Sequence, residues 1–225
     1  MIHLERHRDV FVARMDDGEN RMNQRWLDAF TAVLDKVEAA DGPKALVTTG
    51  TGRFYSNGLD LDWLSIGEVD MRTWVAGVER VFARILGASF ITVAACNGHT
   101  FAAGAMLAVA HDFGVMREDR GFFCLPEVDL GIPLTPGMNA LMTSRLPTVT
   151  AHEVLVTGKR FGGSEAAAKG IMTAAVPEAE VLSRSIEMAG DLAEKAGASM
   201  EAIKCRLYAE AIALLGDSPG TAPLQ

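Results

Sequence analysis

Two stretches of this chain share one build: a short apolar run and, straight after it, a turn of glycine, alanine and small polar residues. The first is residues 45–49 (ALVTT), which lead through Gly50-Thr51-Gly52 into residues 53–63 (RFYSNGLDLDW). The second is residues 91–95 (ITVAA), which lead into residues 96–112 (CNGHTFAAGAMLAVAHD). A short apolar run without polar alternation reads as a buried strand. The turns that follow carry little side-chain bulk, so their backbone N–H groups stay approachable, and two of them converging on one oxygen would hold it by hydrogen bonds. Beyond the second stretch, Glu127 stands in the apolar setting Cys124-Leu125-Pro126-Glu127-Val128, a candidate base.

The rest of the chain fits an alternation of strands and helices. Residues 10–14 (VFVAR) read as a strand and 15–20 (MDDGEN) as a turn. Asn23 can cap a helix whose apolar positions Trp26, Leu27, Phe30, Leu34 and Val37 follow helical spacing, and Asp41-Gly42-Pro43 stops it. Residues 71–86 read as a helix with Trp74, Val78, Val81, Phe82 and Ile85 on one face, and 102–111 as a helix packed tightly on all sides. Short strands are expected at 113–116 and 122–124, then helices at 137–145, 150–157, 164–169, 178–195 and 199–215. A strand-rich front and a helical rear indicate an α/β fold.

Charge and cysteine usage narrow the function. With 21 Lys and Arg against 29 Asp and Glu, the net charge is -8, and no basic run offers a nucleic-acid surface. The three cysteines, Cys96, Cys124 and Cys205, show neither zinc nor disulfide spacing, as expected of a reducing cytosol. The start MIHLERHRDV has no apolar signal region, the apolar run 101–110 is too short for a bilayer, and the end TAPLQ is not a peroxisomal tripeptide. A cytoplasmic protein with no membrane partner is the expectation.

The residues SNGLDL (56–61), CNGHTFAAGAML (96–107) and PEVDLGIP (126–133) resemble, in order and spacing, the two oxyanion segments and the catalytic carboxylate of the crotonase, or enoyl-CoA hydratase/isomerase, superfamily. The resemblance runs over nearly the whole chain, from Asn20-Arg21-Met22-Asn23 through VTGKRFGGSEAAAKGIM (156–172) to the last helix. It implies a crotonase-like spiral of β-β-α turns over residues 1–145 and a C-terminal helical region over 146–225 serving oligomerisation and pocket cover. It also implies an acyl-CoA substrate, with coenzyme A part of the substrate and no separate cofactor, and a homotrimer or dimer of trimers. The chain is short for the family.

By that resemblance the oxyanion donors are the N–H groups of Leu59 and Ala103, with Ser56, Asn57, Gly58, Asp60, Leu61 and Gly104 in the substrate-binding segments and Glu127 as general base and acid. Ala103 would also stand in the first turn of its helix, where the dipole favours an anion. The apolar neighbours of Glu127 would disfavour its charged form and raise its pKa toward the working pH. Met106 stands where the family's hydratases carry a second glutamate. Without that carboxylate to position water, hydration should be weak or absent, and one glutamate resembles the Δ3,Δ2-enoyl-CoA isomerases. The blander readings are turns that need glycine for packing, a surface glutamate, and a methionine filling a core gap.

Other polar residues rank lower. Asp60 suits a turn-fixing role, Asn57 could reach the thioester or a loop, and Asp129 is a reserve carboxylate. His99 and His111 lack a partner at metal-ligand spacing, and Gly50-Thr51-Gly52 is no dinucleotide or phosphate loop. Lys204 and Arg206 could meet coenzyme A phosphates but read better as a solvated helix face. Trp63, Trp74, Phe101 and Leu134 are plausible walls of an acyl-tail pocket. Competing functions are hydration or another enolate reaction on the same frame, and non-catalytic acyl-CoA binding.

Overall fold

The computed structural model describes residues 1–67 and 70–216; residues 68–69 and 217–225, the TAPLQ end among them, lie outside the described residues. Strands β1 (Ile2–His7) and β2 (Val10–Met15) pair as an antiparallel hairpin, and α1 (Gln24–Glu38) follows. The next three units each run strand, strand, helix. The first holds β3 (Ala45–Gly50), β4 (Phe54–Ser56), α2 (Leu61–Ser65) and α3 (Met71–Leu86); the second holds β5 (Ile91–Cys96), β6 (His99–Phe101) and α4 (Ala103–Ala110). The third holds β7 (Phe113–Arg117), β8 (Phe123–Cys124), α5 (Glu127–Leu130), α6 (Pro136–Arg145), α7 (Thr148–Thr157) and α8 (Gly163–Ala168). β9 (Ala174–Val176), α9 (Glu178–Gly190), α10 (Ala198–Leu207) and α11 (Ala209–Gly216) complete the described chain. The first strand of each unit joins a six-stranded sheet of order β1-β2-β3-β5-β7-β9, and the second joins a three-stranded parallel sheet of order β4-β6-β8. This is the β-β-α spiral that the sequence led us to expect.

The apolar runs are covered on both faces, which is why they show no polar alternation. Val10, Val12, Ala45, Val47, Ile91, Val93, Ala95 and Val115 point to one side, where Val181 and Ala189 of α9 meet them. Phe11, Ala13, Met15, Leu46, Ala94, Cys96 and Met116 point to the other, into the larger core filled by α1, α3, α4 and α6. The threonines of these strands are paired rather than exposed. The Thr48 hydroxyl lies 2.7 Å from that of Tyr55 and 3.0 Å from Nε2 of His111, whose Nδ1 is 2.7 Å from the Leu107 carbonyl. Since only Nδ1–H can serve that carbonyl, Nε2 accepts from Thr48, and Thr48 accepts from Tyr55. Burial pushes the His111 imidazole down to about 4, so the ring is neutral.

Four features differ from the sequence reading. The N-terminal segment is a strand: Ile2 and Leu4 pack on the core while His3 and Glu5 face water, as an edge strand allows. The helix expected over 178–195 stops after Gly190 and resumes as a 3-10 turn at Ala193–Lys195. The helix expected over 199–215 is broken at Tyr208. Lys204 is not on a solvated face: its side chain is buried, with Nζ 2.9 Å from Oδ2 of Asp112 and near the carbonyls of Ile85 and Phe90. That ion pair ties α10 to the core and removes Lys204 as a phosphate ligand, whereas Arg206 is exposed.

Candidate active site

The two glycine-bearing turns meet. Gly58, at φ +82°, is backed by the second turn: a Cβ built on it would stand 2.9 Å from Ala102 Cβ and 3.0 Å from the Ala103 nitrogen. Gly104 faces back, with Ser56 Cβ 2.7 Å from where its own Cβ would be. Neither position has room for a side chain, and Gly58 also needs the left-handed backbone that glycine alone adopts freely. These two residues therefore set how closely the turns approach.

Neighbouring polar groups hold the turns in shape. The Gly58 carbonyl accepts from the Met22 N–H at 2.8 Å, and the Asp60 N–H donates to the Met22 carbonyl at 2.9 Å. Alternation along such a bridged segment directs the N–H of Leu59 to the opposite side. Ser56 donates to the Asn20 carbonyl at 2.8 Å and accepts from the Gly58 N–H at 3.2 Å. Asp60 caps α2 through the Trp63 N–H at 3.2 Å and accepts from Asn23 at 3.2 Å, the turn-fixing role expected of it. In the second turn the Ala102 N–H donates to the Cys124 carbonyl at 2.9 Å, while Ala103 opens α4, which no side chain caps. Its N–H is one of the amides that helix geometry leaves without an intrahelical partner.

A cavity of about 540 Å³ lies against both turns. Asn57, Leu59, Leu61, Ala102, Ala103, Met106 and Glu127 line it. Met106 follows Ala103 by three residues on α4 and so shares its face. Ser56, Gly58, Asp60 and Gly104 are not in the lining; they shape the wall from behind. Asn57 borders the cavity while donating to Glu19 at 2.9 Å. Glu127 opens α5, and its Oε2 is buried with no hydrogen-bond partner among the described residues. Burial pushes its carboxyl up to about 7, opposed only by its own backbone N–H. Asp129, on the same short helix, instead packs against Gly158 beyond α7 and does not reach the cavity.

Phe101 and Leu134 border the cavity as expected, but Trp63 and Trp74 do not. The two indoles pack on each other at 5.5 Å, and Trp74 belongs to the core, because α3 turns that face toward α1 and α4. The sequence reading missed Arg21, Val75, Thr135 and Met138 in the lining. Thr135 caps α6 through the Met138 N–H at 3.0 Å and donates to the buried Glu79 of α3. A signal existed: Glu79 falls at helical spacing from Val75 and Phe82, on the apolar face. His99 is ringed by Phe54, Phe101 and Phe122, and burial with Arg53 and Arg160 nearby lowers its pKa. Among the described residues no cluster of three His, Cys, Asp or Glu could hold a metal ion, and no helix is long and apolar enough to cross a membrane.

The fold and this cavity define a crotonase-type protein, and the sequence comparison agrees: the enoyl-CoA hydratase/isomerase family profile matches residues 5–215, so the chain belongs to that family. Among its relatives, the peroxisomal enoyl-CoA delta isomerase 2 of Arabidopsis thaliana is 34% identical over 96% of this chain and 95% of its own. Enoyl-CoA delta isomerase 3 of the same plant is 33% identical over 93% of each. The crystal structure of a probable enoyl-CoA hydratase, EchA3 of Mycobacterium tuberculosis, matches with a TM-score of 0.89 at 28% identity, covering 97% of this chain and 92% of that one.

Proposed function

We propose that the protein is an enoyl-CoA isomerase that moves the double bond of a 3-enoyl-CoA into conjugation with the thioester. The observation that carries this reading is a lone desolvated carboxylate, Glu127, on a cavity whose hydratase-type second position is the thioether of Met106. The Glu127 carboxylate takes a proton from C2. The released electron pair delocalises through C1 onto the thioester oxygen, and the dienolate oxygen is held by the N–H groups of Leu59 and Ala103. Glu127 then returns the proton to C4, and the pair closes the C2–C3 double bond. Base and acid are the same group, so a pKa near 7 suits both halves. The step needs nothing beyond the coenzyme A that the substrate already carries. The plant relatives named as isomerases support the same reading.

Two other readings compete. Hydration would need a carboxylate to position water, and the reserve candidate Asp129 lies away from the cavity. A purely binding protein would have no use for a carboxylate held in an apolar wall. The test is conjugated enoyl-thioester absorbance from 3-hexenoyl-CoA, with trans-2-hexenoyl-CoA run beside it for hydration. Glu127→Gln should keep acyl-CoA affinity and lose conjugation roughly a thousandfold. Equal turnover in the variant, or hydration by the wild type, would overturn the proposal. The assembly proposed with this function is a homotrimer or dimer of trimers, for which the exposed Ile203 and Leu207 of α10 offer an apolar contact face.

A further inference from the structure

The cavity that holds Glu127 does not close around its contents on the apolar side. Four of its lining side chains are large, apolar and open to water: Leu61 is 49% exposed, Met71 53%, Leu130 57% and Ile132 46%. They come from two separate walls. Leu61 and Met71 begin α2 and α3, while Leu130 ends α5 and Ile132 follows it. On the second wall, residues 130–134 (LGIPL) carry no polar side chain, and Asp129, the ionisable residue beside them, is packed against Gly158. Monomeric proteins rarely leave such apolar surface together unless something covers it. Here the surface is continuous with the catalytic cavity, so its occupant is the part of the substrate that continues from the reacting carbons.

We infer that the gap between the start of α2–α3 and the segment from Leu130 to Leu134 is an open exit for the acyl tail, making the protein selective for long, unbranched acyl chains. The inference rests on the enoyl-CoA reading of the cavity, but its geometry makes a separate demand. A closed pocket gains binding with each methylene until it is full and then rejects longer chains. An open apolar channel continues to gain, because each added methylene exchanges water for the side chains of Leu130, Ile132, Leu61 and Met71. A fully buried methylene is worth ~0.8 kcal/mol, about fourfold in affinity, so a half-covered one in an open channel should give roughly twofold.

The experiment measures binding of saturated hexanoyl-, decanoyl- and tetradecanoyl-CoA to the full chain, below their aggregation concentrations, beside conjugation rates on the matching 3-enoyl-CoAs. Affinity and kcat/KM are expected to rise at every step, with tetradecanoyl tightest. A plateau or fall beyond decanoyl overturns the inference even if the enzyme is active. Absence of conjugation at every length, with affinity still rising, would sink the isomerase reading and leave the channel standing. Ile132→Asn, on an exposed position, should flatten the slope of affinity against chain length. An unchanged slope would show that the tail leaves by another route.

Discussion

The two ends of α4 treat polar groups in opposite ways. At the C-terminal end Arg145 donates to the carbonyls of Val109, His111 and Asp112 at 3.1, 2.6 and 2.8 Å and to the Tyr208 hydroxyl. Both ring nitrogens of His111 are engaged, and Lys204 closes on Asp112. At the N-terminal end no side chain caps the helix, and the cavity there holds the partnerless Oε2 of Glu127. Buried polar groups are normally satisfied, because each one left open costs stability. A network completed by protein is architecture; one left incomplete at a cavity is where a ligand is meant to finish it.

That contrast can be broken most severely at His111. Replacing it with alanine opens a cavity and strips partners from Thr48 and the Leu107 carbonyl, so His111→Ala should cost about 3–5 kcal/mol in urea unfolding. The pH profile of turnover should not move. A loss below about 1 kcal/mol would show that the completed network is not structural. The acid limb reports the same group. His111 falls from 6.5 to about 4 in the folded state, so its share of stability is present above pH 6.5 and lost as pH drops through 4.

At the other end of the helix the sign reverses. Glu127 rises from 4.5 to about 7, so the native state carries no penalty below pH 4.5 and the full penalty above pH 7. Glu127→Gln should therefore stabilise the protein at pH 8 by up to about 3 kcal/mol, taking roughly 1.4 kcal/mol per unit, with the gain gone by pH 4.5. Thermal melts of both proteins across that range decide it. A variant no more stable at pH 8 would mean that the carboxylate is not held against its preference. Gly58→Ala comes next. The φ of +82° alone costs alanine about 1–2 kcal/mol, and the new methyl meets Ala102, so the turns must separate. Activity should fall further than stability, and wild-type turnover would show that the approach of the turns does not matter.

Much of this was legible because it is local. The turns announce themselves through glycine and alanine after apolar strands, and the apolar flanks of Glu127 foretell its desolvation. What stayed hidden depends on distant partners or on elements too short to show a period. β4, β6 and β8 have two or three residues each, and α5 has four. Lys204 lies beside Ile203 and Cys205 on a helix that reads as amphipathic, and only Asp112, 92 positions away, explains its burial. Trp63 and Trp74 were misassigned as pocket walls because hydrophobicity says that a face is buried without saying against what. Thr135 is unremarkable in sequence until α3 brings Glu79 behind it.

The smallest expected effect lies at the hinge between the two turns. Ala102 holds φ +51° and ψ -127°, a conformation costly for any residue with a Cβ. It is fixed by its N–H on Cys124 and by its carbonyl, which accepts from the Ala105 and Met106 N–H groups at 2.9 and 3.1 Å. Glycine would relieve the strain but give back roughly 0.5–1 kcal/mol through the freedom it adds to the unfolded chain. Ala102→Gly should thus gain less than about 1 kcal/mol, a rise of no more than about 2–4 °C in Tm. Turnover should drop slightly, because the peptide that presents the Ala103 N–H would no longer be aimed by a Cβ wedged over Gly58. A fall in Tm would show that this backbone is unstrained, and the completed and incomplete ends of α4 would then differ only in hydrogen bonding.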